Sequence, residues 1–311
     1  MQISPRRLSR LAGWLCLLFL GLAGHAAAQI QIDLTLSRRT YLLYEPLVAT
    51  VTLTNLAGRD VTFEDVGGKQ WFNVEVTTMD EQVLQPYDRN YTLKPLTVPA
   101  GQTVKRRIDL NPLFPIREAG THRLRANIYL ADADRFFASR YVAFDIAEGQ
   151  LIWRQDVGVP GNTLEVRQVS LLTFQRPDRL ELYARVRDAE GTSVFASTPL
   201  GRLVANGTNP QALFDRRNTL HVLHEAAPSA YLYTEISAEG EELRVSQQAY
   251  VKRGTNRPSL SRTANGDVEV RGGQPQAKEL PNVATAPVRE PKLSDRPATL
   301  PGAPTKKTGG Q

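Results

Sequence analysis

The sequence predicts an all-β protein that consists of a β-sandwich, a second antiparallel β domain and a disordered C-terminal tail. Apolar and polar residues alternate along most of the chain, which is the pattern of strands that bury one face. Clusters of Gly, Pro, Asn and Asp separate these runs at the short spacing typical of sandwiches. From residue 273 to residue 311 the chain contains seven prolines and no aromatic residue. Such a Pro-rich, basic segment cannot bury enough surface to offset its ordering entropy, so it is predicted to be disordered.

Residues 1–28 have the three parts of a secretory signal peptide. A stretch with three arginines comes first, an apolar stretch over residues 11–22 follows, and Ala26-Ala27-Ala28 matches the small-residue pattern of a cleavage site. The apolar stretch is short for a bilayer span of about 20 residues. We therefore expect cleavage near Gln29 and an exported protein, periplasmic or extracellular, with no transmembrane segment after signal cleavage. An uncleaved membrane anchor is the alternative.

The net charge of +6 lies outside the predicted folded body. The signal segment contributes +3, and residues 273–311, with six basic and three acidic side chains, contribute another +3, which leaves the body neutral. A nucleic-acid-binding protein concentrates Lys and Arg on its folded surface, so no nucleic-acid partner is expected. Cys16 in the signal segment is the only cysteine. The exported chain would therefore have neither disulfides nor thiol chemistry.

The first domain is predicted to span residues 29–148. Its strongest signal is the run Gly120–Leu130, in which apolar side chains alternate with polar ones. The turn chemistry of residues 131–134 and the return run Val142–Ile146 predict an antiparallel hairpin. Five further runs bring the total to about seven strands: Ile30–Leu36, Leu47–Leu53, Val61–Phe63, Phe72–Val76 and Val104–Leu110.

Two motifs give this domain a resemblance to a known group. The run Tyr41-Leu42-Leu43-Tyr44-Glu45-Pro46 leads into a strand that ends at Asn55, and Val98-Pro99-Ala100-Gly101 precedes a later strand. The domain resembles bacterial immunoglobulin-like domains of the macroglobulin and BsuPI-like proteinase-inhibitor type, although His122 stands where that group commonly has an aromatic residue. The resemblance implies an immunoglobulin-like β-sandwich that acts as a spacer or a binding surface. The thioester of the large macroglobulins needs a cysteine, so covalent trapping is excluded.

The second domain is predicted to span residues 149–272 and to consist of antiparallel hairpins. The clearest run is Leu180–Val186, where apolar residues alternate with polar ones. Three hairpins share a turn that ends in glycine: Gly191, Gly240 and Gly266. They resemble blades of sialidase-like propellers, but three cannot close a ring, so a second sandwich or a compact meander is expected. Trp153, near the domain boundary, is either interface or core, with an interdomain contact favoured.

The sequence predicts no catalytic, cofactor-binding or metal-binding residue. His221 and His224 lie three residues apart on a predicted strand and therefore point to opposite faces, so they cannot share a metal. A Gly-x-Ser-x-Gly elbow is absent, and Gly67-Gly68-Lys69-Gln70 lacks the Ser or Thr of a phosphate loop. Carboxylates of the second domain could form a glycosidase pair; the candidates are Asp215, Glu225 and Glu235.

We therefore expect an exported, non-enzymatic binding or scaffolding protein of the cell envelope that acts through β-sandwich loop surfaces. Its partner would be a protein or a cell-wall glycan. The candidate binding residues are Asp132 and Asp134, which follow the long strand of the first domain, and the adjacent Phe136 and Phe137. If the phenylalanines start the return strand, one of them is core. The alternatives are a carbohydrate-active hydrolase or glycan-binding accessory module in the second domain, or a proteinase inhibitor.

Overall fold

Period-two patterning dominates the chain, and the structure is correspondingly built from strands. The computed structural model describes residues 30–159, 162–239 and 242–276, with the backbone alone for 162–164, 238–239 and 242–243. Within these ranges the regular structure is β-strand, apart from one turn of 3-10 helix at Ala131–Ala133. The predicted all-β class is confirmed. The signal peptide predicted for residues 1–28 lies outside the described residues.

The first domain contains eleven strands in the described structure, more than the sequence patterns indicate. They are β1 (Ile30–Leu36), β2 (Thr40–Leu42), β3 (Val48–Asn55), β4 (Val61–Phe63), β5 (Phe72–Thr78), β6 (Val83–Leu84), β7 (Leu96–Val98), β8 (Thr103–Asp109), β9 (Gly120–Leu130), β10 (Arg135–Ala138) and β11 (Val142–Ala147). All seven predicted runs are present. The additional strands have two to four residues, which is too short for alternation to reveal them.

Two sheets of the first domain enclose its core. One has the order β1-β3-β8, and the other has the order β2-β11-β9-β5-β6, with β10 also paired to β9. The predicted hairpin is confirmed, since β11 runs antiparallel to β9 with Phe144 opposite His122. Trp71 lies in the core and is 1% exposed, and its indole N–H donates to the Leu93 carbonyl at 2.8 Å. That hydrogen bond satisfies the polar atom of a large buried ring.

Asn55, at the end of β3, fixes the turn that follows this strand. Its buried amide donates to the carbonyls of Arg59 at 2.7 Å and Val98 at 2.8 Å, and its carbonyl accepts from the Ala57 N–H at 2.9 Å. These bonds tie the turn after β3 to β7. A side chain that replaces backbone partners in this way satisfies groups that would otherwise be buried without hydrogen bonds.

The second domain is an antiparallel meander folded into two packed sheets. Its strands are β12 (Gln150–Val159), β13 (Asn162–Gln175), β14 (Leu180–Asp188), β15 (Val194–Leu203), β16 (Gln211–Phe214), β17 (Leu220–Ala227), β18 (Ala230–Glu239), β19 (Glu242–Val251), β20 (Ser259–Arg262), β21 (Val268–Arg271) and β22 (Gln274–Pro275). The sheets have the orders β12-β13-β14-β15 and β16-β17-β18-β19-β22, and β20 pairs with β21. Of the expected architectures, the sandwich built from meanders is therefore the one observed. Gly240, one of the three predicted turn glycines, lies outside the described residues.

The inner faces of these two sheets form the core of the second domain. Leu171, Leu182 and Leu200 from the first sheet pack toward Val222 and Ile236 from the second. Trp153 packs against this core, with its ring 6.1 Å from that of Phe214. The expected interdomain role of Trp153 is therefore wrong, because β12 turns the side chain toward its own domain.

The segment predicted as a tail begins inside the fold. Gln274–Pro275, at the start of residues 273–311, form β22, which pairs with Tyr250 and Val251 of β19. The remainder of the predicted tail, from residue 277 onward, lies outside the described residues.

Candidate functional site: the loop end of the first domain

Three loops meet at one end of the first domain, and we refer to them together as the loop end. They are the turn Leu56–Asp60 after β3, the turn Val66–Lys69 between β4 and β5, and the segment Ala131–Phe136 after β9. Val66 and Lys69 bond each other through both of their backbone groups, which closes the second turn. The backbone N–H of Trp71 donates to the Asp65 carboxylate at 2.8 Å and anchors this turn to the core. The loop end is thus held by defined hydrogen bonds.

The two predicted aspartates hold the third loop to the other two. Asp132 accepts from Arg59 at 2.9 Å. Asp134 accepts from Lys69 at 2.7 Å and from the hydroxyl of Tyr129 at 2.6 Å. The hydrogen bond from Lys69, followed by that from Tyr129, lowers the pKa of the Asp134 carboxyl. Both carboxylates therefore cross-link the loops of the site.

Asp134 also determines how the chain turns into β10. Its backbone is left-handed, with φ 45° and ψ 46°, and its N–H donates to the Ala131 carbonyl at 3.0 Å. Aspartate tolerates this conformation better than most residues with a side chain. The turn reverses the chain so that Phe136 lies opposite Tyr129 and Phe137 opposite Ile128.

Strand alternation then separates the two phenylalanines. Phe137 packs against the core of the first domain. Phe136 points outward, is 60% exposed, and packs on the ring of Tyr129 with the ring centres 4.9 Å apart. The expectation that one phenylalanine is core is confirmed, and Phe136 is the surface aromatic. Leu56 and Val66, at 53% and 42% exposure, belong to the same loop end and were not recognised from the sequence.

His221 and His224 occupy different environments, as expected from their spacing. The Nδ1 of His221 lies 2.6 Å from the Tyr233 hydroxyl, and its Nε2 faces the Asp215 carboxylate at 3.4 Å. His224 is 1% exposed, and neither of its ring nitrogens forms a hydrogen bond with good geometry. Burial lowers the pKa of His224 to about 4, although the backbone of Arg202 partly opposes this shift. His224 is thus a neutral core residue.

Of the three candidate carboxylates, Asp215 and Glu235 both approach His221, at 3.4 and 3.9 Å, and Glu225 lies apart from them. Asp215 is buried and accepts from the N–H groups of Arg217 and Thr219 at 2.8 and 2.9 Å. Glu235 accepts from the hydroxyl of Tyr233 at 2.7 Å. Glu225 binds the backbone elsewhere, at the N–H groups of Thr208 and Ser229. A cleft of about 40 Å³ opens between the two sheets of the second domain, and the described residues that line it include none of these three.

A buried cluster of charged side chains lies between the two domains, and we call it the interdomain cluster. It comprises Glu45 of the first domain and Arg176, Glu181 and Tyr183 of the second. One guanidinium nitrogen of Arg176 donates to both oxygens of Glu45, at 2.8 and 2.7 Å, and its Nε donates to Glu181 at 2.9 Å. The Tyr183 hydroxyl donates to Glu181 at 2.8 Å. Arg176 and Glu45 are each only 4% exposed.

The electrostatics of the interdomain cluster favour the charged forms. Burial alone would raise the pKa of Glu181, but hydrogen bonds from Arg176 and Arg179 lower it to about 2. For Arg176, burial lowers the pKa and the attraction of Glu45 raises it, with a net upward shift. A buried ion pair of this kind persists only when both partners remain charged and hydrogen-bonded.

Backbone and apolar contacts surround the interdomain cluster. Arg176 also donates to the Thr40 carbonyl, and Arg185 donates to the Leu43 carbonyl at 2.6 Å. Leu42 of the first domain packs with Leu172, Phe174 and Tyr183 of the second. A Cβ on Gly149 would lie 2.9 Å from a Leu42 methyl carbon and 3.1 Å from the Thr173 carbonyl oxygen, so a larger residue would crowd the domain junction. No sequence pattern indicated this site, because its two halves are 131 residues apart.

Neither a metal centre nor a membrane-spanning helix is found in the part of the chain that the structure describes. There, no three His, Cys, Asp or Glu side chains are grouped so that they could hold an ion. No helix of those ranges has the length and apolar character that a bilayer span requires.

Comparisons with known proteins do not assign the chain to a family. No protein-family profile matches it, and no curated protein matches it. One solved structure that resembles part of it is that of Spo0M, a sporulation control protein from Bacillus subtilis. The match has 8% sequence identity, covers 51% of this chain and 80% of that chain, and has a TM-score of 0.26. A TM-score this low indicates neither a shared fold nor a shared function.

Proposed function

We propose that this is an exported, non-enzymatic binding or scaffolding protein of the cell envelope, and that the loop end of its first domain is the binding surface. The observation that carries the proposal is Phe136, which is 60% exposed on a loop that two ion pairs tie to its neighbours. Single exposed apolar residues are common on protein surfaces. An exposed aromatic on a loop fixed by specific bonds is characteristic of a contact residue in a binding site.

The loop end is suited to binding because its conformation is already set. The Tyr129 ring packs against the Phe136 ring, and the ammonium group of Lys69 lies 4.6 Å from the centre of the Tyr129 ring. The loops would therefore lose little conformational entropy when a partner covers Phe136, which raises the affinity for a given contact area. Leu56 and Val66 would widen the apolar contact, and the ion pairs would form its polar rim.

The envelope partner that we propose is a protein or a cell-wall glycan, since both are bound by exposed aromatic side chains on rigid β frameworks. The signal-peptide pattern of residues 1–28 supports the compartment. The second domain supports a non-enzymatic role, because Asp215 is committed to backbone N–H groups and Glu235 to the Tyr233 hydroxyl. The described residues that line the cleft between its sheets include none of the candidate carboxylates. No specific observation favours the hydrolase or the proteinase inhibitor.

Phe136→Ser should abolish most binding while leaving the fold intact. The side chain is largely exposed, so its loss should change the free energy of unfolding by less than about 1 kcal/mol. Loss of a central aromatic contact typically costs about 2 kcal/mol or more, so the affinity should fall by roughly 30-fold. The measurement is co-sedimentation of the purified protein with isolated envelope fractions and with purified cell-wall glycan.

Met79→Ser is the matched control for this experiment. Met79 is 52% exposed and follows β5 at the end of the domain away from the loop end. It should bind the envelope as the wild type does. Equal binding by the wild type and the Phe136 variant would contradict the proposed surface.

A further inference from the structure

We propose that the protein forms a two-fold symmetric dimer in which β12 pairs antiparallel with β12 of a second copy. In the described structure β12 is an edge strand that pairs with β13 alone. It is ten residues long, and seven of its residues are exposed. The free edge of a strand of this length offers a row of backbone donors and acceptors to another strand. This proposal is independent of the loop end.

The sequence of β12 is complementary to itself. Trp153-Arg154-Gln155-Asp156-Val157 has a cation and an anion placed symmetrically around Gln155, with an apolar residue outside each. In an antiparallel register centred on Gln155, Arg154 lies opposite Asp156 of the second copy and Trp153 lies opposite Val157. A two-fold axis repeats each of these pairs, as an interface between identical surfaces requires.

The charged pair is available for this contact. Arg154 is exposed and forms no hydrogen bond or ion pair within the described ranges. The Asp156 carboxylate accepts from the Gln168 amide at 3.2 Å, which leaves its other oxygen for a cation. Opposite charges directly across two strands stabilise the pairing, and like charges destabilise it. Arg154 and Asp156 therefore select the antiparallel register that brings them together.

The apolar side of β12 would also gain from pairing. Trp153 and Val157 pack against the core of the second domain but remain partly exposed. Leu151 and Ile152, which precede Trp153 on the strand, are 48% and 40% exposed. A second copy of β12 would extend the sheet and cover Trp153 and Val157, and Leu151 and Ile152 would flank the paired segment. At the far end of the strand the Gly158 carbonyl accepts from the Asn218 side chain at 2.8 Å, which limits the pairing in each copy to residues 153–157.

Three other edge strands carry residues that block pairing, and β12 does not. The edge strand β8 carries Lys105, Arg106 and Arg107, all exposed. The edge strands β15 and β22 contain Pro199 and Pro275, which lack a backbone donor. Lysine and proline are the usual means of blocking strand-to-strand association. β12 contains neither, and its two charges attract a second copy.

A cysteine at the symmetry axis tests the register directly. In a chain with Cys16→Ser, Gln155→Cys would face its own copy at a Cα separation of about 4.5–5.5 Å, which suits a disulfide. Mild oxidation of the purified protein should therefore give a covalent dimer, measured on a non-reducing gel. The matched control is Gln31→Cys in the same background, an exposed position on the edge strand β1. Equal rates of cross-linking for the two variants would overturn the proposed register.

Charge reversal tests the proposal without a covalent bond. Arg154→Glu and Asp156→Arg should each weaken the dimer by about 10-fold or more, since each turns two attractive pairs into repulsive ones. An equimolar mixture of the two variants should dimerise again, because the two carboxylates of one variant then face the two guanidinium groups of the other. Sedimentation velocity over a concentration series measures the wild type, the two variants and their mixture, with circular dichroism to verify the fold. A wild-type protein that stays monomeric throughout, or a mixture that behaves like its components, would overturn the proposal.

Discussion

Arg176→Ala is expected to lower the free energy of unfolding by about 3–5 kcal/mol. The substitution removes the one buried cation that bridges Glu45 and Glu181, whose side chains are both less than a tenth exposed. Each carboxylate then keeps a single, partly exposed arginine as its cationic partner, Arg38 for Glu45 and Arg179 for Glu181. Removing one partner of a buried ion pair costs far more than the pair itself contributes, because the remaining charge cannot reach water. Urea denaturation of the purified chain provides the measurement. Trp71 and Trp153 report on the first and second domains, respectively.

Arg179→Ala is the control for the Arg176 prediction. Arg179 also donates to Glu181, at 2.8 Å, but its side chain is 32% exposed. Solvent screening makes such pairs worth less than about 1 kcal/mol. The two arginines therefore separate the effect of burial from the effect of losing any arginine near Glu181. An Arg176 variant within about 1 kcal/mol of the wild type would mean that the carboxylates find other partners.

His224 is expected to make the protein sensitive to acid. The pKa of its imidazole is about 4 in the folded chain and about 6.5 in the unfolded chain, so the unfolded state binds the proton more readily. The contribution of neutral His224 to the free energy of unfolding is therefore fully present above about pH 6.5 and is lost as the pH drops toward 4. The expected loss is about 3 kcal/mol at full protonation. His224→Leu should remove this part of the pH dependence, as measured by denaturation midpoints across the range.

His122→Leu is the comparison for His224. Burial also lowers the pKa of His122, but the Gly120 carbonyl, 3.2 Å from its Nδ1, works against that shift. The acceptor of His122 has good hydrogen-bond geometry, whereas neither ring nitrogen of His224 has such a partner, so replacement of His122 should change the acid dependence less. If His224→Leu lost stability with falling pH as steeply as the wild type does, the buried imidazole would not be the cause.

The parts of the fold that could be predicted from the sequence are those with one buried face. In β9 one face packs in the core while the other is only partly buried, so its side chains alternate and its pairing follows. In β14 the apolar face alternates in the same way, but its other face is buried against the first domain, which the alternation does not reveal. β12 lacks such a pattern, because its exposed edge position leaves most of its side chains in solvent. Trp153 was misplaced for the same reason, since the strand that orients it had not been recognised.

The candidate site was predictable in part. Its location followed from the acidic turn after β9, and the separation of Phe136 from Phe137 followed from alternation in the return strand. The roles of Arg59 and Lys69 did not, because ion pairs across 73 and 65 residues depend on the tertiary fold. The interdomain cluster was missed altogether. Glu45 lies in a turn and Arg176 lies just after β13, positions at which charged residues normally face solvent.

The Glu45–Arg176 contact should couple the stability of the two domains. A double-mutant cycle with Glu45→Ala, Arg176→Ala and the double variant tests this coupling most directly, with the free energy of unfolding as the readout. Because the two side chains share one buried hydrogen-bonded pair, we expect a coupling energy of about 2 kcal/mol or more. Single effects that add to the double effect within about 0.5 kcal/mol would contradict this role of the pair.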